Sequence, residues 1–374
     1  VSAPFGDGTR CVHAGLAPAA PGAAVAPQPV LAAQFHLSDD PADDFYGRAG
    51  NPTWRALESA IGELDGGSCI AYASGMAAVS SVLRVLLKPG DTVVLPSDGY
   101  YLARSYVREH MNGLVVREVP TAGEWTADTV AGARLVLLET PSNPGLDVCD
   151  IAEIARLSHA AGALVAVDNT TATPLGQRPL ELGADLTLAS DTKALAGHSD
   201  IVLGHVTAAD PELAARLRSE RTASGAVPGP FEVWLAHRGL GTLDLRLARQ
   251  AENAAALYEA LRGHPRIRSV RWPGSPHDPA HPVASRQMRR FGGVITFELG
   301  PAGPDLTDRD PAAAVADFLA ASRLVSSATS FGGLHSSADR RARWGDQVPA
   351  GLLRFSCGCE DTRDLVADVL TALG

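Results

Sequence analysis

Between residues 68 and 207, short apolar runs alternate with amphipathic stretches, and this alternation decides most of what the chain can fold into. Residues 69–73, 92–95, 114–119, 135–139, 164–168, 186–189 and 201–207 read as strands. Residues 76–87, 102–111 and 151–161 between them carry a helical period. Short strands that are apolar on both faces belong to a mostly parallel sheet covered by helices on both sides. A helix precedes the series. Asn51 caps it and Pro52 starts it, Trp54, Leu57, Ala60, Ile61 and Leu64 form its stripe, and Gly66-Gly67 stops it.

The pattern changes after about residue 225. The cluster at 225–230 breaks the alternation, and a long helix is expected over 243–261. Strands at 269–272, 293–299 and 352–356 follow, and Asp361 caps a closing helix at 365–373. This is a smaller α+β unit. A length of 374 residues suits two such domains. Residues 1–45, rich in Pro, Ala and Gly, read as an extended arm suited to wrapping another subunit. The expected division is an arm at 1–45, a ligand-binding domain at 46–228 and a C-terminal domain at 229–374.

Composition excludes some functions. A net charge of −10 argues against nucleic acid and anionic membranes as partners. No apolar run approaches the roughly 20 residues of a membrane helix, and the N-terminus lacks the pattern of a signal peptide. The five cysteines, Cys11, Cys69, Cys149, Cys357 and Cys359, have no framework spacing and suit reduced thiols in the cytoplasm. No histidine cluster suggests a metal.

The chemistry gathers at strand ends. Lys193 follows Ser190-Asp191-Thr192 directly after an apolar strand, in a chain with few lysines. An amine beside hydroxyls that can donate to phosphate can serve as a nucleophile and then as a base. Asp168 ends the run 164–168, where open α/β sheets bind ligands; it suits a ring-nitrogen partner, with a turn or cap Asp as the alternative. Ser74-Gly75-Met76 lies between a strand and a helix, a place where backbone N–H groups bind phosphate. Tyr46-Gly47-Arg48 offers a phosphate clamp from the arm. Tyr100 and Tyr101 offer rings for stacking. Asn143, in the segment 139–144, can reach a hydroxyl or a carboxylate. Arg354 lies in an apolar strand and needs an anion, either a substrate carboxylate or an internal acid.

This ordered set resembles the Cys/Met-metabolism family of fold-type-I enzymes that use pyridoxal 5′-phosphate (PLP). The matching pieces are Tyr46-x-Arg48-x-x-Asn51-Pro52-Thr53, Ser74-Gly75-Met76, the segment 139–144 and Val167-Asp168-Asn169-Thr170. They continue through Ser190-x-Thr192-Lys193 with Gly197-His198, and Arg238-Gly239-Leu240-x-Thr242-Leu243. Pro273-Gly274, Gly292-Gly293, Ser330-Phe331-Gly332-Gly333 and Arg354-x-Ser356 complete the set. The resemblance implies that Lys193 carries the coenzyme as a Schiff base and moves protons, that Asp168 pairs with the ring nitrogen and that Tyr100 stacks on the ring. It assigns the phosphate to Gly75, Met76, Ser190 and Thr192, with Tyr46 and Arg48 reaching it from an adjacent subunit. It assigns the substrate carboxylate to Asn143, Ser330 and Arg354. It further implies a homotetramer with shared active sites and γ-elimination on a sulfur amino acid, cystathionine first. Methionine γ-lyase, γ-replacement as in cystathionine γ-synthases, and a catalytically silent oligomeric scaffold are the alternatives. Two departures stand out. Tyr101-Leu102-Ala103 follows Tyr100 where the family often has Gly-Gly-Thr, which leaves the stacking residue open between Tyr100 and Tyr101. Leu334-His335-Ser336 stands where many relatives have Val-Glu-Ser.

Overall fold

The computed structural model describes residues 5–37, 39, 44–300 and 310–374. The expected alternation is present as a seven-stranded sheet: β1 (Ser68–Tyr72), β2 (Thr92–Pro96), β3 (Val115–Val119), β4 (Ala133–Glu139), β5 (Leu164–Asp168), β6 (Leu186–Ala189) and β7 (Gly204–Ala208). The strand order is β1-β7-β6-β5-β4-β2-β3. Only β7 runs against its neighbours, β1 and β6; the other pairs are parallel. Val94, Val136, Val165 and Val167 pack on one face, and Ile70, Leu135, Leu186 and Val206 on the other. That two-sided burial explains why these strands read as continuous apolar runs.

The helix Pro52–Asp65 begins where Asn51 accepts a hydrogen bond from the Thr53 N–H at 2.8 Å, and Gly66, at φ +87°, ends it. The seventh strand departs from expectation. Ile201–Leu203 do not join the ladder, because Leu203 instead exchanges hydrogen bonds with the Thr192 side chain.

A second sheet has the order β10-β11-β12-β9-β8, comprising β8 (Ile267–Arg271), β9 (Val294–Leu299), β10 (Ser326–Ser327), β11 (Ser337–Arg340) and β12 (Leu352–Ser356). The helices Leu243–Leu261, Pro311–Ala321 and Thr362–Leu373 cover it around Phe297, Phe318 and Phe355. Asp361 caps the last helix by accepting from the Arg363 N–H at 2.9 Å.

The arm needs correction. Residues 1–4, 38 and 40–43 of it lie outside the described residues. Asp7–His13 is a helix rather than extended chain, and it buries Cys11 beside Trp54 and Leu243. It is too short and polar to show a period. No described helix is long and apolar enough to cross a membrane.

Candidate active site

The strand ends of the large sheet and the edge of the small one enclose a cavity of about 450 Å³. β5 delivers Asp168, β4 delivers Glu139, the turn after β6 delivers Ser190, Thr192 and Lys193, and β12 delivers Arg354. Gly75, Met76, Tyr100, Asn143, Ser330, Phe331 and Arg341 also face it. Of the residues singled out from sequence, Tyr46, Arg48 and Tyr101 are absent from its walls.

Lys193 Nζ donates to Ser330 Oγ at 2.8 Å and lies 5.6 Å from the centroid of the Phe331 ring. Burial, with the nearby positive charges of Arg354 and Arg341, pulls its pKa down to about 8, against the favourable charge of Asp168. Ser330 has φ +75°, a backbone state that non-glycine residues rarely occupy. Strain of that kind costs about 1–3 kcal/mol and collects at functional sites. Here it aims the hydroxyl at the amine while the Ser330 carbonyl accepts from Arg354 Nη2 at 2.9 Å.

Asp168 lies beside Glu139 in the β4–β5 register. Burial raises both carboxyl pKa values, Glu139 to about 8 with Asp168 as the repelling neighbour. Asp168 is held toward the charged form by the Thr170 N–H, which donates to it at 3.0 Å, and by the positive charges of His205 and Lys193. Glu139 uses both oxygens: the N–H of Tyr100 donates to Oε2 at 2.6 Å and that of Asn143 to Oε1 at 2.8 Å.

Arg354 donates through Nη1 to Asn143 Oδ1 at 2.8 Å and packs over the Phe331 ring. An internal acid is also near, since Asp339 Oδ2 lies 3.9 Å from Nη2. Asp339 is already held by Arg341 at 3.0 Å and by Trp344 at 2.8 Å. Arg354 Nε is buried without a partner, and burial lowers the guanidinium pKa to about 10. A buried cation with a spare donor beside a cavity suits an added anion.

The side of the cavity where the sequence places a phosphate is lined by a helix start and a turn. Ser74 caps the helix Gly75–Leu86 by accepting from the Ala77 N–H at 3.0 Å. A side chain at Gly75 would bring its Cβ to 2.7 Å from Ser190 Cβ, so glycine is needed for the turn to approach the helix start. Thr192 needs a qualification: its hydroxyl donates to the Leu203 carbonyl at 3.2 Å, so that hydrogen must leave Leu203 to reach a phosphate. Of the two tyrosines, Tyr100 faces the cavity, and Tyr101 meets it edge-on from outside, with ring centroids 5.3 Å apart.

Tyr46 and Arg48 are exposed. Arg48 lies 5.5 Å from the Tyr46 ring and donates to the Thr222 carbonyl at 3.2 Å. Residues without an assigned role in the sequence reading are Glu139, Thr170, Phe331 and Arg341. Arg341 is nearly inaccessible and paired with Asp339 and Asp346; the only sequence signal for it is a run of arginines between two acids.

The donor set fits PLP. A helix N-terminus with a glycine turn suits the phosphate, a buried carboxylate suits the ring nitrogen, a partly desolvated amine suits the aldehyde, and Arg354 suits the carboxylate of an amino acid. Among the described residues no group of three or more metal-ligating side chains occurs.

Comparison with known proteins agrees with this chemistry. Residues 8–374 match the model of the Cys/Met metabolism PLP-dependent enzyme family. A Streptomyces coelicolor protein provisionally named cystathionine gamma-lyase is 53% identical, over 100% of this chain and 94% of its own length. The cystathionine gamma-synthase of Mycobacterium bovis is 39% identical over 99% of this chain and 97% of its own. Among solved structures, a methionine gamma-lyase from Micromonospora echinospora superposes with a TM-score of 0.91 at 35% identity, covering 99% of both chains. The cavity, the order of the strand-end residues and these matches together place the chain in the Cys/Met metabolism PLP-dependent enzyme family.

Proposed function

We propose that this protein is a carbon–sulfur lyase that performs γ-elimination on cystathionine, giving cysteine, 2-oxobutanoate and ammonia. The observation that carries the reading is the convergence of Lys193, Asp168 and Arg354 on one cavity. The 53% identity to the Streptomyces coelicolor protein favours cystathionine as substrate.

When bound, PLP supplies an electron sink for negative charge developing on substrate carbons. Asp168 keeps the ring nitrogen protonated. Gly75, Met76, Ser190 and Thr192 hold the phosphate, and Tyr100 packs against the ring. Arg354 binds the substrate α-carboxylate with Asn143 and Ser330, using a donor that has no partner among the described residues. Lys193 Nζ, when free, takes the proton from the substrate α-carbon and moves protons at the β-carbon. A pKa near 8 leaves a working fraction of the amine neutral at physiological pH. The bond from Cγ to sulfur breaks, cysteine departs as a thiolate and is protonated, and water addition to the four-carbon remainder yields 2-oxobutanoate and ammonia.

A second reading, γ-replacement, has its own support. A space of about 550 Å³ adjoins the cavity, sharing Thr192, Val202 and residues 329–331 with it, and His335 stands on its wall. Such a space could admit a thiol, and the Mycobacterium bovis relative is a synthase. Methionine γ-elimination is a third possibility by likeness to the Micromonospora echinospora lyase. A silent scaffold is disfavoured by the retention of all three central side chains. Incubation with cystathionine, methionine, homocysteine, cysteine and activated homoserines, with products identified by mass, separates these readings. Cysteine with 2-oxobutanoate from cystathionine supports the first; methanethiol, or a new thioether from an activated homoserine, as the main product overturns it.

We also propose a homotetramer in the cytoplasm, with Tyr46 and Arg48 completing the phosphate site of an adjacent subunit. Their exposure and their separation from the cavity of their own chain support this, as does the 60% exposed Val202 at the rim. Five free cysteines suit a reducing compartment. The division at 1–45, 46–228 and 229–374 follows the same scheme, with one sheet in each of the two larger parts.

A further inference from the structure

His205 lies outside the cavity, on β7, opposite Ala189 of β6 and Ala71 of β1. Val206 shares the sheet face of Asp168 through the register Asp168–Leu188–Val206, so His205 points to the other face. There it is buried with two acids. Its Nδ1 is 2.6 Å from Asp191 Oδ1, and its Nε2 is 3.2 Å from Asp65 Oδ2. Thr207 Oγ1 donates to the same Asp65 oxygen at 2.7 Å. Asp65 is the last residue of the helix Pro52–Asp65, and Asp191 stands between Ser190 and Thr192.

With both acids ionised, both ring nitrogens carry hydrogen and the ring is a cation; burial opposes that charge and raises the Asp191 carboxyl as well, but Asp191 and Asp65 together lift the imidazole pKa to about 10. Its positive charge also favours the ionised form of Asp168. A buried ion triad is a costly way to hold a turn, since a neutral hydrogen bond would do so with less desolvation. The second oxygens of the acids, Asp191 Oδ2 and Asp65 Oδ1, are buried without partners. Without the cation, two carboxylate charges would stand behind the turn that meets a phosphate.

We propose that His205 is a positioning residue for the coenzyme site: clamped by Asp191 and Asp65, it fixes the Ser190–Lys193 turn and cancels one of the two carboxylate charges behind it. This rests on the reading of the cavity as the PLP site.

The test titrates PLP into wild-type, His205→Gln and Asp65→Asn/His205→Gln apoproteins. Uptake is followed by the absorbance of the lysine-linked coenzyme, and folding by circular dichroism. The double variant keeps the net charge of the wild-type triad and leaves the glutamine amide able to donate to Asp191. His205→Gln should bind PLP at least about tenfold more weakly, as expected for stranding a buried charge, and the double variant should recover most of that loss. A folded His205→Gln protein with wild-type PLP affinity overturns the proposal. If His205→Gln does not fold, a folded double variant that binds PLP about tenfold more weakly than wild type overturns it instead. Wild-type protein that takes up no PLP overturns the cavity assignment, a separate result.

Discussion

Two groups of residues that look alike in the sequence part company in the structure. Lys193, Asp168, Arg354, Asn143 and Ser330 come from strand ends and turns of two sheets, and they converge on one cavity. Tyr46 and Arg48 have equally suggestive chemistry, yet they sit exposed just beyond the arm. The first group is complete within one chain. The second has an aromatic ring and a guanidinium that, among the described residues, donates to the Thr222 carbonyl. The difference separates what one chain assembles by itself from the residues on which the proposed sharing of a site between subunits rests.

Substitutions in the first group should be severe and confined to the chain that carries them. Lys193→Ala should lower kcat about 10³-fold or more, the scale of losing a proton-transfer group, with the circular dichroism spectrum unchanged. Arg354→Ala should fall mainly on KM, by about 10²-fold, as expected for removing a charge-assisted contact with a carboxylate. Equal kcat loss with unchanged KM would separate Arg354 from substrate binding. The rate of PLP uptake by apoprotein should rise about tenfold per pH unit up to a midpoint near 8, because only the neutral amine of Lys193 attacks an aldehyde and its pKa is lowered to about 8. A midpoint near 10.5, the value of an ordinary lysine, would contradict the burial argument.

The second group should behave differently. Arg48→Ala should weaken PLP retention by roughly tenfold, and mixing Arg48→Ala chains with Lys193→Ala chains should restore part of the activity. Verified mixed oligomers with no recovery would remove Arg48 from the neighbouring site. The smallest effect separates the two tyrosines: Tyr101→Leu, which removes a ring outside the cavity, should change kcat/KM by about twofold or less, whereas Tyr100→Leu, which removes the ring facing the cavity, should exceed it. The reverse order would move the stacking role to Tyr101.

Much of the fold was legible because burial leaves a direct trace. Leu164–Asp168 and Leu186–Ala189 are apolar on both faces and sit at their expected bounds. Leu243–Leu261 likewise matches its helical period. The helix Asp7–His13 left no such trace, since seven mostly polar residues cannot show a period. The strand Ser337–Arg340 hides for a related reason: its buried members include Asp339, which only its ion pairs make tolerable. The site was legible where its residues follow strands. Arg341 was not, because its burial depends on Asp339 and Asp346 rather than on any local pattern. Glu139 was visible as a strand end, but its role in tying Tyr100 to Asn143 needs the loops folded around it. The hydroxyl of Thr192 shows the converse: its proximity to Lys193 was legible, its engagement with Leu203 was not.

The chain has two lysines, the exposed Lys88 and the largely buried Lys193, which makes a decisive measurement possible. Borohydride reduction of the PLP-loaded protein, followed by peptide mapping, fixes the coenzyme to the lysine that holds it. The account predicts one phosphopyridoxyl group per chain, on the peptide that contains Lys193. Label on Lys88, or no label in protein that turns over substrate, would contradict it.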